Sequence, residues 1–93
     1  MRINITNHAM QRWCQFGQER MRYTQLAALV DRHFHAALRQ GIKLRGNAAY
    51  IDVNKDLVAI VVPGNFRWDV VTFRIKSDSY LRRFYYDEEG VSV

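Results

Sequence analysis

The sequence predicts an α+β domain in which helices come first and strands follow. Two observations carry this. Between residues 6 and 41 the apolar side chains recur at the helical period; from residue 42 to residue 76 they alternate or run on continuously, as strands do. The length adds a third: 93 residues make one domain around one core. The expected architecture is two N-terminal helices on one face of a three- to four-stranded antiparallel sheet. The helical half spans residues 6–41, the strand-rich half 42–76, and the tail 77–93 is ambiguous.

The opening run Ile3 to Thr6 is β-branched at three of its four positions and reads as a short strand. Thr6 or Asn7 then caps a first helix in which Ala9, Trp13 and Phe16 fall at i, i+4 and i+7, with Met10 and Cys14 widening the stripe. Gly17 supplies its stop. Thr24 is the expected cap of a second helix, whose stripe runs through Leu26, Leu29, Val30, His33, Phe34, Ala37 and Leu38 and ends at Gly41. Beyond it "AAYIDV" alternates, and "LVAIVV" at 57–62 is the continuous apolar run of a central strand. "PGN" at 63–65 marks a turn. In "RWDVVTFRIK" a strict period of two places Val71, Phe73 and Ile75 on one face and Trp68, Val70, Thr72, Arg74 and Lys76 on the other. In the tail, Leu81, Phe84 and Tyr85 fit one helical face while its aromatics equally favour a strand, with a short helix the nearer fit.

Composition narrows the partners. The net charge is +5, and twelve of the fourteen cations but only five of the nine acids precede residue 78. That field attracts polyanions such as RNA, DNA or anionic membrane surfaces. Eleven of the cations are arginine, whose planar fork suits bidentate phosphate contacts, although codon bias in a GC-rich genome gives the same count. Cys14 is the single cysteine, so no internal disulfide forms and a reducing compartment is expected. No apolar run approaches a membrane span or signal core. The expectation is a cytoplasmic protein with no membrane association.

Spacing excludes several chemistries. His33 and His35 stand two apart on a helix and so diverge by about 200°. With no cysteine pair and no His-x3-His, neither a zinc site nor any other cofactor is expected. His33 reads as a partly buried core histidine and His35 as a solvated partner of Asp31 four residues earlier. The chain has no glycine-rich phosphate loop, no G-x-S-x-G and no carboxylate pair at helical spacing, so NTPase, hydrolase-triad and glycosidase readings lack support.

What remains is His8 with Arg12, four apart at a helix start, and Thr72 with Arg74 on a late strand. They are either two pairs of solvated side chains or the equipment of a metal-independent ribonuclease. Cleaving RNA by attack of its own 2′-oxygen needs one group to take a proton, one to return a proton, and positive charge on the pentavalent phosphate. A histidine does the first or second job and arginines the third. Arg20, Arg22, Lys43, Arg45, Lys76, Arg82 and Arg83 are candidate phosphate contacts, and Tyr50, Trp68 and Tyr80 could stack a splayed base.

The order of these features, a short strand, "ITNHAMQRW" opening a helix, a second helix ending in Gly41, and a meander whose late strand carries "DVVTFR", resembles the RelE-like toxin superfamily of barnase-like RNase folds. Within it the chain looks most like a small branch with the opening motif Ser/Thr-x-x-His-Ala-x-x-Arg and an apolar-apolar-Thr closing strand. The likeness covers most of residues 3–76. It implies a RelE-like sheet and a toxin-type endoribonuclease that acts on RNA, in some cases on the ribosome, with an antitoxin or host-protein partner. Carried over, it points to His8, Arg12, Thr72 and Arg74 as catalytic. The family often has an Arg-Gly pair after its first helix; here "FGQERMRY" is longer and places Arg20 and Arg22 less cleanly. RelE-like enzymes also use C-terminal Arg and Tyr residues, which keeps Tyr80, Arg82, Arg83 and Tyr86 as secondary candidates.

Two other classes stay open: a basic domain that binds RNA without cutting it, and a phage-type inhibitor that docks on a host protein. A nuclease needs His8 and Thr72 or Arg74 in one cleft. A passive binder needs only a basic groove with aromatics, and an inhibitor an exposed apolar patch, for which Phe84, Tyr85 and Tyr86 are the candidates.

Overall fold

A computed structural model describes residues 2–76. Strand β1 (Arg2–Ile5) leads into helix α1 (Asn7–Gln15) and then helix α2 (Tyr23–Gln40). Within the described residues four more strands follow: β2 (Lys43–Arg45), β3 (Ala48–Asp52), β4 (Leu57–Gly64) and β5 (Arg67–Ile75). They form one five-stranded sheet in the order β1-β5-β4-β3-β2.

The α+β class and the two N-terminal helices stand, but the sheet is larger and differently paired than expected. Among the described residues it has five strands rather than three or four, and it is mixed rather than antiparallel, because β1 lies parallel to β5 with Arg2 opposite Arg67 and Ile5 opposite Val70. A run of β-branched residues predicts a strand without naming its neighbour. The two helices return the chain to the far edge of the sheet, and the meander β2 to β5 works back until β5 reaches β1.

The helices form where the apolar period demanded. In α1, Ala9 and Trp13 are buried four residues apart, and Gly17, at φ +69°, ends the run in the left-handed region that favours glycine. Met10 packs against the core, while Cys14 is exposed and takes no part in the stripe. In α2, Leu26, Val30 and Phe34 are buried at i, i+4 and i+8. Its cap is not Thr24 but Arg22, whose backbone N–H donates to the Gln25 side chain at 2.9 Å. The helix starts early because Tyr23 at its head closes the free edge of β1. The Tyr23 hydroxyl accepts from the Ile5 N–H at 3.2 Å and donates to Asn4 Oδ1 at 2.7 Å, so an edge amide is not left bare.

The main core lies between the helices and one face of the sheet, with Ile3, Ile5, Ile51, Leu57, Val61, Val70 and Phe73 meeting Trp13, Leu26 and Phe34. On the other face Val58 and Ile60 are buried in a second, smaller cluster with Ala48, Tyr50 and Val71. Residues 57–61 are buried without a break, as a central strand with both faces covered requires.

The expected division of β5 into two faces fails at one residue. Ile60 stands opposite Thr72 but Val61 opposite Val70, so Val71 is an extra residue in a β-bulge. The bulge moves Trp68 and Val70 to the helix side with Phe73, and turns Val71 to the opposite face. The "PGN" turn also shifts by two, because Pro63 and Gly64 remain in β4 and the hairpin turn is Asn65–Phe66. The tail, with its helix-or-strand choice and Tyr80, Leu81, Arg82, Arg83, Phe84, Tyr85 and Tyr86, lies outside the described residues.

Candidate functional site

One threonine sets the position of α1. Thr6 donates its backbone N–H to Val70 O at 3.1 Å. Its hydroxyl points at the same carbonyl, 2.9 Å away, and at Val71 O, 3.3 Å away, while accepting from the Ala9 N–H at 3.2 Å. A single side chain thus caps the helix and ties its first turn to the bulge in β5. Trp13 fixes the second turn. Its Nε1–H donates to Glu19 O at 2.7 Å, and its ring meets Phe73 edge-on at 5.2 Å between centroids.

With Ala9 and Trp13 turned inward, His8 and Arg12 occupy the exposed side of the same helix. The β1–β5 pairing stops at Val70, so the second half of β5 borders α1 instead of a strand. Between them lies a cleft of about 250 Å³, lined by His8 and Arg12 from α1, by Phe16 directly after it, and by Thr72, Arg74 and Ile75 from β5. All four residues expected to be catalytic therefore meet in one cleft. Arg12 lies 5.8 Å from the centre of the Phe16 ring and reaches Gln15 Oε1 at 3.4 Å, which steadies its guanidinium at the rim. Among the described residues no hydrogen bond fixes the His8 ring, whereas the Thr72 hydroxyl turns to Phe73 O at 3.3 Å.

The candidate substrate contacts are dispersed. Arg20 and Arg22 sit in the exposed link between the helices and do not line this cleft. Lys43 and Arg45 are on β2, at the opposite edge of the sheet. Lys76 pairs with Asp52 at 3.7 Å. Trp68 is half-buried with its ring 5.1 Å from Phe34, so it serves the core more than a base. Tyr50 lines a different cleft of about 400 Å³ with His33, Gln40 and Asp52, where α2 overhangs β3. His33 is half-buried there rather than enclosed in the core. Its pKa is lowered, first by burial, then by the Arg32 cation; Asp52 opposes this and Lys76 adds to it. His35 behaves as expected, with Nδ1 3.3 Å from the Asp31 carboxylate and 2.9 Å from its carbonyl.

Sequence reasoning missed two residues that the structure makes prominent. Phe16 was read only as core but forms a wall of the His8 cleft. Phe66 falls between the "PGN" turn and the last strand and was assigned to neither, yet it is fully exposed. Its signal was in view: an aromatic residue directly after "PGN", where a turn ordinarily takes a small or polar one.

Comparison with protein-family models, curated proteins and solved structures finds no match. The resemblance noted above therefore rests on the quoted motifs. His8, Ala9 and Arg12 meet the second half of the opening motif, while Thr6 stands two residues before His8 instead of three. Among the described residues no helix is long and apolar enough to cross a membrane, and no three His, Cys, Asp or Glu side chains gather as metal ligands.

Proposed function

We propose that this chain is a metal-independent endoribonuclease of the RelE-like toxin type, cutting RNA by attack of its own 2′-oxygen. The observation that carries the reading is the convergence of His8, Arg12, Thr72 and Arg74 on one open cleft from two separate elements. In the reaction the 2′-hydroxyl loses its proton as its oxygen bonds to phosphorus. The bond from phosphorus to the 5′-oxygen breaks, and that oxygen takes up a proton. His8 fills one of the two proton roles and solvent in the open cleft the other. Arg12 and Arg74 carry positive charge to the phosphoryl oxygens as negative charge builds there, and the Thr72 hydroxyl orients one of them.

That no hydrogen bond among the described residues fixes the His8 ring favours a second reading, in which the cleft holds a phosphate without cutting it. One assay separates the two. Purified protein is incubated in chelator with single-stranded RNA and with translating ribosomes, and the fragments are resolved. The expected result is cutting that falls about a hundred- to ten-thousandfold in His8→Ala. Cutting of neither RNA, or equal cutting by His8→Ala, removes the catalytic assignment and leaves RNA binding.

A further inference from the structure

We propose that the β4–β5 hairpin tip is a second RNA contact, in which the Phe66 ring stacks on an unpaired base beside the guanidiniums of Arg67 and Arg2. This deepens the function proposed above and rests on RNA being the ligand. Phe66 is the second residue of the two-residue turn that joins Gly64 to Arg67, and its backbone φ is +57°. Glycine or asparagine is the ordinary occupant of such a position, because a side chain crowds the backbone in the left-handed region. Here the position carries a large apolar ring that is fully exposed to solvent. The ring contributes nothing to the core, and a glycine would fit the turn with less strain.

The surroundings of the ring point to a nucleic acid. Pro63, Gly64, Arg67 and Trp68 form a shallow apolar dish beside it. Arg2 stands opposite Arg67 in the β1–β5 register, so two cations flank the tip. The tip is also held firm. Asp69 Oδ1 accepts from Arg67 Nε at 2.9 Å and from Asn4 Nδ2 at 3.0 Å. The Asp69 carboxylate also packs so closely on Gly64 that a Cβ there would come within 2.7 Å of it. Held in this way, the Arg67 side chain is still 48% exposed, which leaves part of its guanidinium open to a phosphate.

Size decides between possible ligands. A stable protein interface buries on the order of 1,200 Å² or more, far beyond one ring and a dish of four residues. Anchoring to a lipid surface takes more apolar area than a single phenyl group. Base stacking needs only one ring face, and adjacent cations to take the backbone. Thr72 lies six residues from Phe66, about 20 Å along an extended strand, so one RNA strand can occupy the tip and the His8 cleft together.

The test measures fluorescence anisotropy of a labelled, 2′-O-methylated oligouridylate of about a dozen nucleotides. It lacks the attacking hydroxyl and survives intact. The parent should bind, Phe66→Gly should bind roughly five- to a hundredfold more weakly, and Phe66→Trp should bind at least as well as the parent. Phe66→Gly relieves the left-handed strain, so it should melt no lower than the parent, and weaker binding then reports the lost ring. Binding by the parent that Phe66→Gly matches overturns this contact and leaves the RNA reading standing. No binding by the parent overturns both. Unchanged RNA affinity with loss of binding to phosphatidylserine vesicles in Phe66→Gly assigns the tip to a lipid surface and overturns the proposal. Cleavage by His8→Ala is a separate readout, so weak binding by Phe66→Gly upholds this contact whatever becomes of the catalytic role.

Discussion

His33 shows how far one residue can be read from spacing. Its place on the apolar stripe of α2 suggested a partly buried core histidine, and half of that is right. The ring lines a cleft between α2 and β3 and meets charges from three places: Arg32 on its own helix, Asp52 on β3, and Lys76 after β5. Burial and the two cations disfavour the imidazolium, which puts the folded pKa below the unfolded value of about 6.5. As pH falls, the unfolded chain therefore takes up this proton first. The stability due to the neutral ring is complete above about pH 6.5 and is lost as pH drops through the folded pKa. Urea unfolding of the parent should show a midpoint that declines between about pH 7 and pH 5, and His33→Gln should flatten that decline. An equal decline in the variant would move the effect to other groups. No helical period reveals Asp52 or Lys76, because both arrive from strands far along the chain.

At the scale of elements, the β1–α1 junction holds the cleft together. Thr6 caps the helix and bonds to carbonyls on both sides of the β5 bulge, so its hydroxyl fixes both where α1 starts and what lies beneath it. Thr6→Val keeps the shape and removes the hydroxyl. It should cost about 1–2 kcal/mol in denaturant unfolding, while Thr6→Ser should recover most of that. RNA cutting by folded Thr6→Val should fall as well, since His8 is two residues from the lost anchor; unchanged cutting would detach the cap from the site. The cap itself was legible in "ITNHAMQRW", because an N-cap and an i, i+4 apolar pair are local signals. The bulge was not. Alternation read through Val71 places Val70 with Thr72 and Arg74, and only the pairing with Ile60 and Val61 exposes the extra residue. Parallel pairing of β1 with β5 was hidden for the same reason, since its partners stand 65 residues apart.

Over the whole molecule the question is whether the +5 charge acts as a diffuse field or through particular contacts. The sequence gives the sum, and the strand order distributes it: Arg2, Arg12, Arg67 and Arg74 fall on β1, α1 and β5, while Lys43 and Arg45 ride the opposite edge on β2. A diffuse field steers a polyanion and weakens with salt whichever cation is removed. Phosphate contacts release counterions one by one, so the logarithm of the binding constant falls against that of salt by about 0.7 for each phosphate held on a single strand. The two phosphate contacts proposed at the His8 cleft and the two proposed at the hairpin tip predict a slope of about −3 for the parent. Arg12→Gln and Arg2→Gln should each lower its magnitude by about 0.7. Arg39→Gln removes an equal charge from the last turn of α2, away from both sites, and should leave the slope unchanged while slightly slowing association. Titrations of an uncleavable single strand across about 50–200 mM potassium chloride read all four slopes. Equal changes in the three variants would mean that the charge works only as a field, and would remove Arg12 and Arg2 as phosphate contacts.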